Sequence, residues 1–249
     1  MGFAAHAVET LVLEKDSPSA PRLSESPHSG VPTSGVVARD RRTSVRTADL
    51  LADVLVEAGV EVIFGLPGGP IAPLMDALLD RPQIRNITAR HEAGALFAAA
   101  GYAHATGKLA VCVVTSGPGI LNAMTGIANA HCEGLPILVI AGDVPRDRVA
   151  KGAAQDGTAF GLDIIHMSKP ITKFAASASE PATAPGLLRQ AIAQAMSGRR
   201  GPAVVTIPLD VSNAKALPPM RSWTREVCYQ TTADTLDGVA EALRTSRRC

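Results

Sequence analysis

Leu109–Gly142 reads LAVCVVTSGPGILNAMTGIANAHCEGLPILVIAG. Its opening, LAVCVVTS (Leu109–Ser116), is an apolar segment of strand length that ends at a Gly-Pro-Gly turn, Gly117–Gly119. Gly119–Ala130 then has the character of a helix, and PILVIAG (Pro136–Gly142) is a second strand without polar interruption. Strands buried on both faces read as continuous apolar runs. Two such strands joined through a helix must lie parallel, because a short turn can only join antiparallel neighbours.

The same alternation extends in both directions. Upstream, Leu50, Leu51, Val54, Leu55 and Ala58 recur at three- and four-residue spacing before Gly59, which predicts a helix and its stop. Strands are expected at Val60–Gly65 and Ile84–Ala89, with a helix over PIAPLMDALLD (Pro70–Asp80) between them. Glu92–Thr106, EAGALFAAAGYAHAT, reads as a small-residue helix closed by Gly107. Downstream, PITKFA (Pro170–Ala175) and PAVVTIPLD (Pro202–Asp210) read as strands around a helix at Ala182–Met196. Six strands separated by helices predict an α/β fold: a doubly wound, mostly parallel six-stranded sheet with helices on both faces. No internal repeat is evident.

Ligands of such sheets sit at the carboxyl ends of the strands. The informative residues are therefore Gly65–Pro70 (GLPGGP), Arg90–Glu92 (RHE), Thr115–Gly119 (TSGPG) and Gly142–Pro145 (GDVP). None supplies the G-x-G-x-x-G of a dinucleotide site, and Gly107-Lys108-Leu109 fails the P-loop pattern. His91-Glu92 starts like H-E-x-x-H, but the fifth residue is Ala95, and Ser116 is not in a G-x-S-x-G elbow. Hydride transfer, phosphoryl transfer, zinc proteolysis and acyl-serine chemistry lose support. What is left is Glu92, a lone carboxylate near two Gly-rich turns. Taken alone it is equally a first-turn acid favoured by the helix dipole, and Gly-Pro-Gly is equally a plain turn.

Composition narrows the classes further. The chain has 249 residues, 46% hydrophobic and 19% charged, with a formal net charge of +1. That balance offers no basic footprint for nucleic acid and no cationic face for a membrane. No apolar run reaches the roughly 18 residues of a spanning helix. Cys112, Cys132, Cys228 and Cys249 share no C-x-x-C spacing and read as reduced thiols of a cytoplasmic protein. His91, His104 and His131 lack the pairing of a helical metal site, so no metal is assigned to these residues. Residues 1–45 are rich in Ser, Pro and Gly and are expected to be a disordered extension. Met1–Leu13 is too short for a secretory signal, and Glu9, Glu14, Asp16, Glu25 and Asp40 count against a transit peptide, with organelle targeting left as the alternative.

Taken in order, the motifs are more specific than any one of them. Phe64-Gly65-Leu66-Pro67-Gly68-Gly69, Arg90-His91-Glu92, Gly101-Tyr102-Ala103, Ala105–Lys108 and Thr115–Gly119 are followed by Asn122, Gly126–Ala130, Gln155, Thr172-Lys173, Ser197–Arg199 and Gly201–Pro208. This order resembles the N-terminal, pyrimidine-binding domain of thiamine-diphosphate enzymes, the acetolactate synthase (acetohydroxyacid synthase) group in particular, over about residues 46–211. The resemblance implies that Glu92 is catalytic. It would hydrogen-bond the aminopyrimidine ring nitrogen N1′ and favour the tautomer whose exocyclic nitrogen takes the thiazolium C2 proton. It also implies cofactor contacts from Pro118, Gly119, Asn122 and Gln155, the last towards the thiazolium and a 2-oxo acid substrate. Asn122 and Gln155 read equally as a helix-surface amide and a loop amide. Arg199 matches an arginine that contacts FAD in members that bind it.

Two departures border the implied site. Ala154 stands where the group has Phe before the Gln, and Ile120-Leu121 stand where it has Ala-Thr. They leave a decarboxylase, another carboligase or an acetyltransferase of the same superfamily as alternatives to acetolactate synthase. The 249 residues contain no Gly-Asp-Gly motif, so the diphosphate and Mg²⁺ are expected to be held elsewhere. Residues 212–249, with Leu217-Pro218-Pro219 and an apolar stripe Leu236, Val239, Ala240 and Leu243, read as a linker and the first helix of a middle domain. The expectation is half of an active site, inactive by itself, in a fragment or a split subunit. Its partner would be a second copy of the chain or a pyrophosphate-domain subunit. The alternative is a non-catalytic dimerising or regulatory module.

Overall fold

Ala110–Val114, the centre of the apolar run, is a strand with every side chain buried. The computed structural model describes residues 43–218 and 233–246. In chain order its elements are β1 (Val45–Arg46), α1 (Thr47–Glu57), β2 (Val62–Gly65), α2 (Ala72–Leu79), β3 (Arg85–Thr88), α3 (Glu92–Thr106), β4 (Ala110–Val114) and α4 (Pro118–Glu133). There follow β5 (Ile137–Asp143), α5 (Ile164–Ser168), β6 (Phe174–Ser177), α6 (Ala184–Met196), β7 (Ala203–Pro208), α7 (Leu209–Asn213), β8 (Lys215–Ala216) and α8 (Ala233–Thr245). Most of the extension expected over 1–45, together with Pro219, Cys228 and Cys249, lies outside the described residues.

Six strands form one parallel sheet in the order β3-β2-β4-β5-β7-β6. The central strands β4, β5 and β7 are buried throughout, and the edge strands β3 and β6 are only partly so. Side chains alternate across the sheet, as the pleat requires. Val111, Val113, Leu138, Ile140, Val205 and Ile207 pack under α1, α2 and α6. Cys112, Val114, Ile137, Val139, Ala141 and Val204 pack under α3 and α4. Each full burial of a Val, Leu or Ile side chain is worth about 1.5–3 kcal/mol, so the two faces together outweigh any single turn in fixing the fold.

The sheet order places a switch point between β2 and β4. After β2 the chain turns to α2 on one face, and after β4 it turns to α4 on the other. The GLPGG and TSGPG turns therefore lie side by side at the carboxyl ends and lead to opposite faces, the position where doubly wound sheets bind ligands.

Helix α3 spans the expected residues and is closed by Gly107 at φ 68°, a left-handed cap. PITKFA differs from expectation: Lys169–Ile171 is a 3-10 turn and the strand begins at Phe174. Pro170 has no N–H for a ladder, and the Ser168 and Thr172 hydroxyls donate back to Ile164 O and Ser168 O, continuing the helical turn. The short helices α5 and α7 and the β1–β8 pair were not expected. Val45 pairs with Ala216 and Thr47 donates to Ala214 O, which ties the start of the folded body to its far end. Leu236, Val239 and Leu243 of α8 are exposed.

Candidate functional site

The first residue of α3 is Glu92, and its direction is set by the residue before it. His91 is extended (φ −157°), and its Nδ1 accepts the Ala93 N–H at 3.2 Å, filling one of the helix's open donors. Glu92 then turns inward and is 6% exposed. Its Oε2 accepts from Asn122 Nδ2 at 3.0 Å, across the α3–α4 contact. Oε1 accepts no hydrogen bond among the described residues. That oxygen is the one facing Gly119, and a carboxyl oxygen there can take a further donor.

The helices approach closely enough for this contact because Gly126 faces Leu96. A Cβ at position 126 would lie 2.4 Å from Leu96 Cβ. Gly126 and Leu96 each lie one turn beyond Asn122 and Glu92, so the same crossing sets both contacts.

The turn after β4 supplies the opposite wall. Gly117 has φ 59°, ψ −116°, a conformation open to glycine, and Pro118 follows as the first residue of α4, where its missing N–H costs nothing. A Cβ at Gly119 would lie 2.6 Å from Thr115 Cγ2 and 3.4 Å from Glu92 Oε1. Thr115 also fills the space a Cβ at Gly68 would need, at 2.5 Å. Glycine at 119 is thus demanded by the protein's own packing around Thr115, and not solely to admit a ligand. Ser116 Oγ is buried with no hydrogen-bond partner among the described residues. Behind it, burial pushes the Cys112 thiol well above its ordinary range, with the Glu92 charge adding to the effect.

Gln155 is exposed and sits in the left-handed region at φ 63°. It packs on Gly117, where a Cβ would meet Gln155 Cβ at 2.7 Å and Cα at 2.9 Å. Beneath it, Asp143 ends β5 as a 2% exposed carboxylate whose Oδ1 accepts the N–H groups of Val144 (2.8 Å) and Gly157 (3.0 Å). Burial holds its carboxyl above the usual carboxylate range, opposed by the two amides and reinforced by the charge of Asp156.

The structure therefore brings Glu92, Gly119 and Asn122 together and sets Gln155 against the start of the same turn. Arg199 is elsewhere. Its guanidinium donates to Cys132 O at 2.7 Å, at the other end of α4. At 1.5 Å per residue Cys132 is about 21 Å along the helix from Pro118. Of the residues that depart from the group's pattern, Ile120 is fully buried in the core, Leu121 is half-buried and Ala154 is exposed. Sequence reasoning missed His91 as a cap, Thr115 as the spacer of two glycine turns, and Asp143. An acid directly after an apolar strand was the available signal for Asp143. Among the described residues no group of three His, Cys, Asp or Glu could hold a metal ion, and no helix is long and apolar enough to cross a membrane.

Fold and site together define a doubly wound α/β domain with a buried glutamate, Glu92, at the carboxyl edge of its sheet. Residues 45–166 match the family described as thiamine pyrophosphate enzyme, N-terminal TPP binding domain. An acetolactate synthase of Arthrospira platensis is 39% identical over 202 residues, 78% of this chain and 34% of that protein. The acetolactate synthase large subunit of Lactococcus lactis is 43% identical over 165 residues, 66% of this chain and 28% of its own length. A chloroplastic acetolactate synthase of Arabidopsis thaliana is 37% identical over 171 residues, 69% of this chain and 25% of its own. The chain thus spans about a third or less of these relatives. It belongs to the thiamine-pyrophosphate enzymes as an acetolactate synthase-like N-terminal domain.

Proposed function

We propose that this domain is the pyrimidine-binding half of a thiamine-diphosphate-dependent active site that acts on a 2-oxo acid by acetolactate synthase-like decarboxylation and carboligation. The observation that carries the reading is the buried Glu92 carboxyl, with one oxygen held by Asn122 and the other without a donor beside Gly119. A ring nitrogen carrying a proton is the donor that oxygen lacks. When bound, thiamine diphosphate supplies a carbon nucleophile for the substrate carbonyl. The chain's own part is to hold and exchange a proton at Glu92 Oε1, to fix that carboxyl through Asn122, and to wall the site with the Gly117–Gly119 turn and Gln155. A general base of this kind contributes typically about 10²–10⁴-fold.

The diphosphate and Mg²⁺ would be held by residues outside these 249, in the same chain or another. A second copy or a pyrophosphate-domain subunit is the partner this reading calls for, in a cytoplasmic setting. The exposed face of α3, where Phe97 stands among Gly94, Ala98 and Gly101, supports close packing of a partner helix. An FAD contact at Arg199 would lie at the far end of α4 and takes no part in the pyrimidine site.

The test is calorimetric titration with thiamine diphosphate and Mg²⁺, with and without a supplied pyrophosphate-domain chain. Weak binding by the chain alone, tight binding once it is paired, and loss of both activity and binding in Glu92→Ala are expected. Tight binding by the chain alone would refute the half-site. An unchanged Glu92→Ala complex would favour a non-catalytic dimerising or regulatory module.

A further inference from the structure

We infer that Asp143 is a positioning residue: its buried carboxylate holds the 155–164 loop so that Gln155 lies against Gly117. The inference rests on the pyrimidine-site reading only for what Gln155 then touches. The loop is closed on itself by backbone bonds. Thr158 O accepts from Gly161 and Asp163, Asp156 O accepts from Leu162, and Gly157 O accepts from Ile164, all within 3.0 Å. Such a closed loop behaves as one piece, and its place is set by where it is anchored. At one end Ile164 is buried in the core under α4. At the other, the anchor nearest Gln155 is the Gly157 N–H on Asp143 Oδ1.

Position 157 is shaped around this contact. A Cβ there would lie 3.0 Å from Asp143 Oδ1 and 3.1 Å from Oδ2, so the carboxylate would have to move for any larger residue. The strand end is also pinned from outside. Arg146, three residues beyond Asp143, donates to Asp210 Oδ2 at 2.7 Å, to Ser179 O at 2.8 Å and to Glu180 Oε1 at 3.0 Å, which joins the exits of β5, β6 and β7. Gln155 therefore lies between a fixed strand end and the Gly117 turn. A non-glycine residue with positive φ persists only where its surroundings over-determine it. At Gln155 those surroundings are Gly117 on one side and the Asp143-held amide on the other.

Hydrogen exchange and the Gly117 amide resonance decide the matter in the full chain, without any cofactor. In Asp143→Ala the amides of 155–162 should exchange about tenfold faster or more, with β5 unchanged, because only the local anchor is lost. The Gly117 resonance should shift with them. Asp143→Asn keeps an acceptor oxygen, so it should restore both to near the wild type. Should Asp143→Ala fail to fold, Gly157→Ala attacks the same contact from the loop side and should loosen the same amides. With thiamine diphosphate, Mg²⁺ and a supplied pyrophosphate-domain chain, Asp143→Ala and Gln155→Ala should weaken affinity non-additively. Unchanged loop exchange in the alanine variant, or equal loosening in the asparagine variant, would overturn the inference. Absence of cofactor binding by the wild type overturns the proposed function instead and leaves the exchange result to stand.

Discussion

Asn122 and Glu92 are joined by a 3.0 Å hydrogen bond one helical turn away from the place where Gly126 meets Leu96. The Glu92 carboxyl is thus held by a helix crossing whose spacing is set in the core. Gly126→Ala should part α3 from α4 there, since its Cβ would arrive 2.4 Å from Leu96 Cβ. Overpacking of this kind costs about 1–3 kcal/mol. Urea unfolding should show that loss, with weaker binding of thiamine diphosphate by the paired protein. A variant as stable as the parent would mean the crossing is not tight.

Asn122→Ala tests the other end of the relationship. It leaves Glu92 Oε2 buried without a donor, and an orphaned buried acceptor costs about 1–3 kcal/mol. Asn122→Asp sets two carboxylates side by side and should be worse at neutral pH. Chemical denaturation of the pair at pH 7 checks the order; equal stability of Asn122→Asp and the parent would contradict it.

Glu92 itself separates shape from chemistry. Glu92→Gln keeps the side chain's length and loses the exchangeable carboxyl proton, while Glu92→Asp keeps the acid and falls one methylene short. Both should fold, and both should slow deuterium exchange at the cofactor C2 position by about 10²-fold or more in the paired protein. Proton NMR of acid-quenched samples measures that rate. Wild-type exchange in Glu92→Gln would remove the carboxyl from the mechanism.

Asp143 gives a pH prediction. Its carboxyl is held above the usual range by burial, so ionising it costs more in the fold than in the unfolded chain. The stability this contributes is complete below the ordinary carboxylate range and is lost as pH rises through the raised value. Asp143→Asn mimics the protonated form and relieves the repulsion from Asp156. Its Tm should exceed the parent's at pH 7, with the gap closing towards pH 4. Thermal melts across that range measure the gap, and one that widens on acidification contradicts the sign.

Much of this was legible in the residues. The six strands of the sheet, α3 to within its cap, and the convergence of Glu92 with the Gly-Pro-Gly turn follow from apolar periodicity and from the rule that strand ends carry ligands. PITKFA misled because Ile171 and Phe174 look like strand residues while Pro170 and two hydroxyls keep the chain helical. The β1–β8 pair has two residues a side and joins positions far apart, so no local pattern announces it. Asp143 stood in view as the acid after an apolar strand, but nothing in GDVP shows that an amide fourteen residues on will meet it.

By itself the sequence determined the α/β class, the order of elements, and the residue types that meet at the carboxyl edge, because burial on both sheet faces and the needs of turns are written into local composition. The tertiary structure alone decided which atoms meet. It set Glu92 against Asn122, made Gly119 answer to Thr115, buried Ile120 in the core and took Arg199 to the far end of α4. The site contacts among them depend on how closely α3 and α4 approach, set by Gly126 against Leu96, and on a carboxylate under the loop. They are sums over packing from the whole domain, and no single segment contains them.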